Sequence, residues 1–389
     1  MDTSDRQAHV AQKFVELFGE NPSVWAQAPG RVDLMGSHTD YNEGFVLTQA
    51  IDRNTWIAAR PRQDQKVRIA SLNMEGVESI NLDDIHPSQA VPWSDYVAGV
   101  AFILKEEGYD LRGFDGLVHS TVPFGSGLSS SAALEVTSAV LFDYFGALNI
   151  DPVDLALYCQ RAEREFVGMN CGILDQYSSL MGQAGQVLLL DCRYIRSESR
   201  PMAEGLQIVV CDTRAHRALT GSEYSERRAQ CEQGARILSQ FYPQIKTLRD
   251  ASLEQLDAHL DDMPEVVARR CRFIIQENQR VLDMAEALEA SCYDRIGLLA
   301  RQSFAGARDL YQISCAEMEA MFEAMSGGPG VIGARQAGAG FGGCMVAFVR
   351  QESLPVFSQH VYDDYLARTS IQPKIYPVVA SPGAGMLAR

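Results

Sequence analysis

Lysine is scarce: the 389 residues contain five, and none follows a glycine. A Walker P-loop, GxxxxGK(S/T), is therefore excluded. The HRD and DFG stretches of protein kinases are missing as well. Basic residues number 34 against 50 acidic ones, giving a net charge of −16. Such a surface repels phosphate backbones and anionic lipid, so no nucleic-acid partner and no membrane partner is expected. The nine cysteines, Cys159 to Cys344, are scattered singly with no CxxC pair. Reduced thiols fit this pattern, rather than a disulfide frame or a zinc site. No apolar run reaches the ~20 residues of a membrane span. The opening MDTSDRQAHVAQKF lacks a basic n-region and an apolar core, so a cytoplasmic protein is expected. Internal repeats and low-complexity segments are absent too.

Apolar residues are plentiful, at 46%, enough for a substantial core in two domains or one large one. The most informative stretch is Pro123 to Val136, PFGSGLSSSAALEV. Gly125 and Gly127 make a bend that lets backbone N–H groups approach a ligand. Ser129 or Ser130 is expected to cap the helix that begins at Ala132. A strand over 117–122, this bend and then a helix make an anion site, because free N–H groups and the positive dipole end point the same way. A capped turn and a nucleotide-phosphate loop both fit these residues. In an acidic protein the second reading brings a magnesium requirement with it.

Elsewhere, residues 7–19 read as an amphipathic helix, and 44–60, 66–72, 187–190 and 206–210 as strands. Between Val24 and Asn42, strand, turn and loop gather Arg31, Asp33, His38 and Asp40, four ionisable groups in ten residues. That loop is either solvated or a binding site. Trp93 and Tyr96 open a helix to Gly108; core packing or an aromatic wall for a purine suits Trp93. The helix after the serine loop is apolar almost all round and is expected to be central. The next, over 151–168, starts at an Asp151 cap with Pro152 behind it. Glu163 falls on its apolar stripe, where a salt bridge or a metal ion must meet it. Asp175 opens a further helix, a position that keeps a carboxylate ionised. Long helical patterns dominate beyond about residue 204. Gly338 to Gly343 matches GxGxxG but precedes an apolar run, the wrong order for a dinucleotide fingerprint, so a tight loop packed on another element is expected.

Three blocks carry a family resemblance: Gly30 to Asn42, GRVDLMGSHTDYN; Pro123 to Val136; and Gly338 to Cys344. With Cys171 to Gln176 and Ser222-Glu223-Tyr224, the chain resembles the galactokinase branch of the GHMP small-molecule kinases over nearly its whole length. The resemblance implies an α/β (α+β) fold of two domains, 1–204 and 205–389, with mixed sheets and the active site between them. It implies an ATP-dependent, magnesium-dependent kinase acting on the anomeric hydroxyl of a sugar. Asp175 matches the catalytic base and Arg31 its cation, and Ser131 and Glu163 match the magnesium ligands. Gly125, Gly127, Leu128, Ser129 and Ser130 fall at the triphosphate, Trp93 and Tyr96 near adenine. Ser37, His38, Asp40, Gly172 and Tyr224 fall at the sugar.

Two departures bear on the acceptor. The family usually has glutamate where this chain has Ser37, a position facing the sugar's C6 hydroxyl. It also reads Asn-Val-Arg-His-Ser-Leu where this chain has Arg214 to Leu219, RAHRAL. If Arg214 reaches the pocket, losing an acid and gaining a cation would favour an anionic C6, as in galacturonate. A pentose such as arabinose would also tolerate the shorter Ser37, which weakens the C6 hydrogen bond and frees volume. Galacturonate or arabinose therefore stands beside galactose as acceptor. Asp33 replaces the usual asparagine with no effect assigned. A sugar-binding regulator with a decayed site is the reading from another class; the presence of Asp175, Arg31, Ser131 and Glu163 counts against it. Nothing in the sequence fixes an oligomeric state.

Overall fold

The structure is a computed structural model that describes residues 3–169, 171–215 and 222–387, with the backbone alone at Ser222. Asn170, residues 216–219 of the RAHRAL stretch and the Ser222 side chain lie outside the described residues.

Two sheets organise the chain. The first is mixed and contains β1 (Val24–Met35), β2 (Phe45–Pro61), β3 (Lys66–Ser71), β4 (Val77–Asn81), β5 (Phe114–Ser120), β6 (Gln186–Asp191) and β7 (Arg196–Pro201). The second holds β8 (Leu206–Asp212), β9 (Val331–Gln336), β10 (Cys344–Arg350) and β11 (Lys374–Val378) in the order β11-β8-β10-β9. The final strand, β12 (Gly385–Met386), returns to the first sheet and pairs with Ala26 and Gln27 of β1. The chain thus changes sheets between β7 and β8, while its last residues bind the two sheets' segments together.

Periodicity explains most elements. The helix Ser130–Gly146 buries Ala132 through Ala139 together with Leu141 and Phe142, as its all-round apolar pattern predicts. It shares a core with Ile57, Val100, Ile103 and Phe114. A second core lies where the sheets meet: Val32, Leu34 and Leu47 pack with Ile208, Val210, Val346 and Phe348, and with Val281 and Met284 of the helix Glu265–Glu289. Because strand residues alternate between faces, burying Val32 and Leu34 there turns Arg31 and Asp33 together to the other face.

One helix differs from expectation. The 151–168 segment is a regular helix only over Pro152–Arg161, capped by the Asp151 side chain on the Val153 N–H at 2.8 Å. It then widens into a π-helical turn, Ala162–Phe166, closed by the Val167 N–H on the Ala162 carbonyl. Widened turns of this kind recur at functional sites, and Glu163 sits in this one.

Candidate active site

The serine loop follows β5. Gly125 and Gly127 have φ of 69° and 83°, the left-handed conformations that the bend requires of glycine. Leu128 is buried and anchors the loop, its carbonyl accepting the Arg31 N–H at 3.2 Å. The expected side-chain cap is not made. Ser129 adopts φ 61°, and no side chain among the described residues caps the helix. Its hydroxyl instead donates to Asp175 Oδ2 at 2.5 Å. The left-handed turn aims Ser129 across the cleft, which leaves the first-turn N–H groups to a ligand.

Asp175 is the second residue of the helix Leu174–Met181. Its Oδ1 accepts from Arg31 Nε at 2.9 Å and Nη2 at 2.5 Å, while Arg31 Nη1 donates to the Gly127 carbonyl at 2.8 Å. Arg31 is buried and the Asp175 side chain is a quarter exposed. One guanidinium therefore joins the loop to the carboxylate, with an oxygen still reachable from the cleft.

On one side lies a knot of acids. Gln176 Nε2 donates to Glu163 Oε2 at 2.6 Å and to Glu135 Oε2 at 2.9 Å. Burial, then the Asp175 charge, push the Glu163 carboxyl up, against hydrogen bonds from Cys171, Ser131 and Gln176. Burial and Glu163 push Glu135 well above the usual range, and its Oε1 has no hydrogen-bond partner among the described residues. No group of three His, Cys, Asp or Glu able to hold a metal occurs among the described residues. The Ser131 hydroxyl and Glu163 carboxylate are hard oxygen donors in an acid-rich wall, which fits magnesium when phosphate and water complete the shell. Tyr96 faces this wall: burial, then Glu163 and Glu135, push its phenol up to about 12. Trp93 is half-buried on the core below and donates its indole N–H to the Glu75 carbonyl at 3.0 Å. Glu135 and Gln176 were missed from sequence, although an acid inside an apolar helix carries the same signal that singled out Glu163.

On the other side, a Cβ placed on Gly172 would fall 1.7 Å from Asp40 Oδ2, so only glycine lets the Asp40 carboxylate lie there. Burial, with the charges of Asp175 and Asp33 adding to it, raises the Asp40 pKa to about 6. The Tyr224 ring lies 5.3 Å from His38 and 5.4 Å from Tyr41. Both His38 ring nitrogens are taken, Nε2 by the Ala339 carbonyl at 3.0 Å and Nδ1 by the Tyr41 hydroxyl at 2.9 Å. A carbonyl only accepts, so Nε2 carries the proton and Nδ1 accepts from Tyr41. Burial holds this imidazole down to about 4, hence neutral. Its polar ring atoms clamp the glycine loop, whose Gly340 backs directly onto Ile313 as a tight packing loop should.

Ser37 is not the simple vacancy that its short side chain suggests. Its hydroxyl donates to Asp33 Oδ2 at 2.6 Å and accepts from Arg335 Nη2 at 2.8 Å. Arg335, fully buried, also lies 3.6 Å from Asp33 Oδ1 and 3.3 Å from Glu277 Oε1. Glu277 takes further bonds from Arg280 at 2.7 Å and Ser303 at 2.7 Å. Two acids and two cations balance behind the pocket. The condition on which Arg214 would add a cation to the pocket is not met in this structure: Arg214 is exposed, with Tyr376 in reach of its charge. Its N–H is tied to Asp212 Oδ1 at 2.9 Å, which holds that residue at the end of β8.

The signatures of known families cover these same segments. The GHMP kinase N-terminal domain matches residues 95–183 and the GHMP kinase C-terminal domain residues 284–359, which makes the class that of small-molecule kinases. The galactokinase galactose-binding signature matches residues 12–61. A galactokinase of Roseiflexus sp. is 41% identical over 96% of this chain and 95% of its own, and one of Chloroflexus aurantiacus 40% over the same shares. The crystal structure of Lactococcus lactis galactokinase complexed with galactose superposes with a TM-score of 0.93 at 33% identity, over 98% of this chain and 99% of that one. Methanococcus jannaschii mevalonate kinase, at 16% identity and a TM-score of 0.62 over 92% of this chain and 98% of its own, shares the fold. The chain belongs to the galactokinase family.

Proposed function

We propose that the protein transfers the γ-phosphoryl group of ATP to the anomeric hydroxyl of galactose. The observation that carries this reading is the Arg31–Asp175–Ser129 cluster, set between an open serine-glycine loop and the Asp40–Gly172 wall. In the reaction O1 of the sugar forms a bond to Pγ, the bond from Pγ to the β-bridging oxygen breaks, and the O1 proton passes to Asp175. Arg31 stabilises the developing alkoxide and holds the carboxylate in line. Gly125, Gly127, Leu128, Ser129 and Ser130 offer the triphosphate backbone N–H groups and a helix N-terminus, with Trp93 and Tyr96 beside the nucleotide base. Ser131 and Glu163 would hold magnesium, which would supply neutralisation of the phosphate charge. Asp40, Gly172, His38 and Tyr224 shape the sugar subsite, Asp40 accepting ring hydroxyls.

Phosphoryl transfer demands mainly positioning and charge neutralisation, and these residues supply both. A sugar panel tests the reading: ADP release with galactose, galacturonate and arabinose, with and without magnesium. Magnesium-dependent release led by galactose is expected. Release led by galacturonate would replace the acceptor, and none with any sugar would leave only a binding role.

A further inference from the structure

A cavity of about 860 Å³ lies apart from the candidate active site: none of Arg31, Asp40, Glu163 or Asp175 lines it. Its walls are the helix Glu265–Glu289, the helix Tyr293–Gly306 with the π-helical turn Ala307–Tyr311 after it, and the start of the helix Leu253–Asp257. Pockets that enclose small organic ligands have this size.

Arg280 lines the cavity and is only 8% exposed. Its Nε donates to Glu277 Oε2 at 2.7 Å, but neither Nη has a hydrogen-bond partner among the described residues. Nη2 lies beside Gly306 of the facing wall, 3.4 Å from where a Cβ there would stand. Buried N–H groups without acceptors are costly. The nearby acids do not meet the need. Glu277 already accepts from Ser303 at 2.7 Å, Arg335 at 3.3 Å and the Gly36 N–H at 3.3 Å. In the cavity wall, Asp283 is paired with Arg295 at 3.0 Å and Asp309 with Arg308 at 2.7 Å.

Charge and hydrogen bonding here ask for different things. Arg280 and Arg335 are matched in charge by Glu277 and Asp33, so no further anion is required. In the wall, Glu254, Asp283 and Asp309 outnumber Arg249 and Arg280, and the whole chain carries a net charge of −16. An anion is repelled there. What the cavity needs is an acceptor for Arg280, and donors for the rim carboxylates and the amides of Gln276 and Gln302. Hydroxyl groups supply both without charge.

We propose that this cavity binds a neutral polyhydroxylated ligand, a sugar or polyol of up to disaccharide size, with Arg280 as its anchor. One hydroxyl oxygen accepts from the guanidinium, other hydroxyls donate to the rim, and the carbon skeleton lies on Leu299 and Leu310. Because the site is separate from the Arg31–Asp175 cluster, its occupant is not the phosphoryl acceptor.

The probe is trehalose, whose two anomeric carbons are locked in its glycosidic bond, so it has no C1 hydroxyl to phosphorylate. Saturation-transfer NMR on the whole protein should show saturable binding. Arg280→Met keeps the apolar stem and removes every N–H. It should weaken binding at least roughly tenfold, the scale of a hydrogen bond to a charged group. Ala305→Phe puts a ring into the cavity and leaves the Arg280–Glu277 bond in place. It should abolish binding, with circular dichroism unchanged. No saturable binding by the wild-type chain overturns the proposal, as does binding that survives either substitution. Succinate that binds more tightly than trehalose, and is lost with Arg280, would refute the neutral class. Should Arg280→Met not fold, Ala305→Phe decides alone.

Discussion

The two ends of the site are built by different means. At the phosphate end, nine consecutive residues from Pro123 supply a bend of positive-φ glycines and a helix start. At the sugar end, Asp33 and Ser37 depend on Glu277, Ser303 and Arg335, some 240 to 300 positions away in the chain. The first is backbone chemistry and tolerates side-chain change. The second is a set of buried charges in which each member is balanced only because the others are present. On the proposed reading, donor recognition is therefore local and acceptor recognition global.

The largest effect should come at the point joining the two ends. Asp175→Asn keeps the shape but removes the proton acceptor, and kcat should fall about 10²–10⁴-fold with the sugar dissociation constant nearly unchanged. Single-turnover measurement checks it. A fall below tenfold would mean that the proton leaves late in a loose transition state, and would weaken the claim that this carboxylate couples the ends.

Next in size is the global end itself. Arg335→Ala leaves Asp33 and Glu277 buried without their shared cation, and removing one partner of a buried pair costs about 3–5 kcal/mol. Thermal unfolding should show a large loss. Ser130→Ala, at the half-exposed phosphate loop, should change stability by no more than about 0.5 kcal/mol. Comparable losses from the two substitutions would erase the distinction between local and global construction.

That distinction also explains what the sequence disclosed. The serine loop, the Asp151 cap, the central helix and the oddly placed Glu163 were legible because each rests on neighbours within a few residues. The widened turn at 162–166 was not, since nothing in the 3.6-residue pattern marks one extra residue per turn. Ser37 was legible as a departure, but its bonds to Asp33 and Arg335 were not, because Arg335 sits in an ordinary strand pattern with no sign that it reaches β1. Asp33 had no assigned effect for the same reason: its meaning lies in a partner 302 residues away.

A smaller effect separates the ends by pH. Asp40 has a folded-state pKa of about 6, raised from its ordinary value by burial. In the proposed site it is, above pH 6, the carboxylate that would accept sugar hydroxyls; below, it is protonated and would lose that capacity. The KM for sugar should be flat above pH 6 and rise by up to about tenfold per unit beneath it, the limit for one proton, while the KM for ATP stays level. The linkage to stability has the opposite sign. A raised acid pKa means the folded state holds the proton more tightly, so this group's contribution is complete below the unfolded pKa and is lost as pH rises through about 6. Asp40→Asn should flatten both profiles.

The smallest effect is expected from Gly125→Ala, and its smallness is informative. A Cβ at Gly125 meets nothing within 4 Å, in contrast to Gly172, where it would strike the Asp40 carboxylate. The only penalty at 125 is backbone: alanine at φ 69° is strained by about 1 kcal/mol. If the loop binds phosphate through N–H groups, the strain should raise the KM for ATP by roughly fivefold, the factor that 1 kcal/mol represents. The KM for sugar and the preference among sugars should not move, because among the described residues no hydrogen bond or ion pair links the Asp33–Ser37–Arg335 set to this loop segment. A shift in sugar preference from Gly125→Ala would show that the ends are coupled through the loop as well as through Arg31, and the local account of donor binding would have to be abandoned.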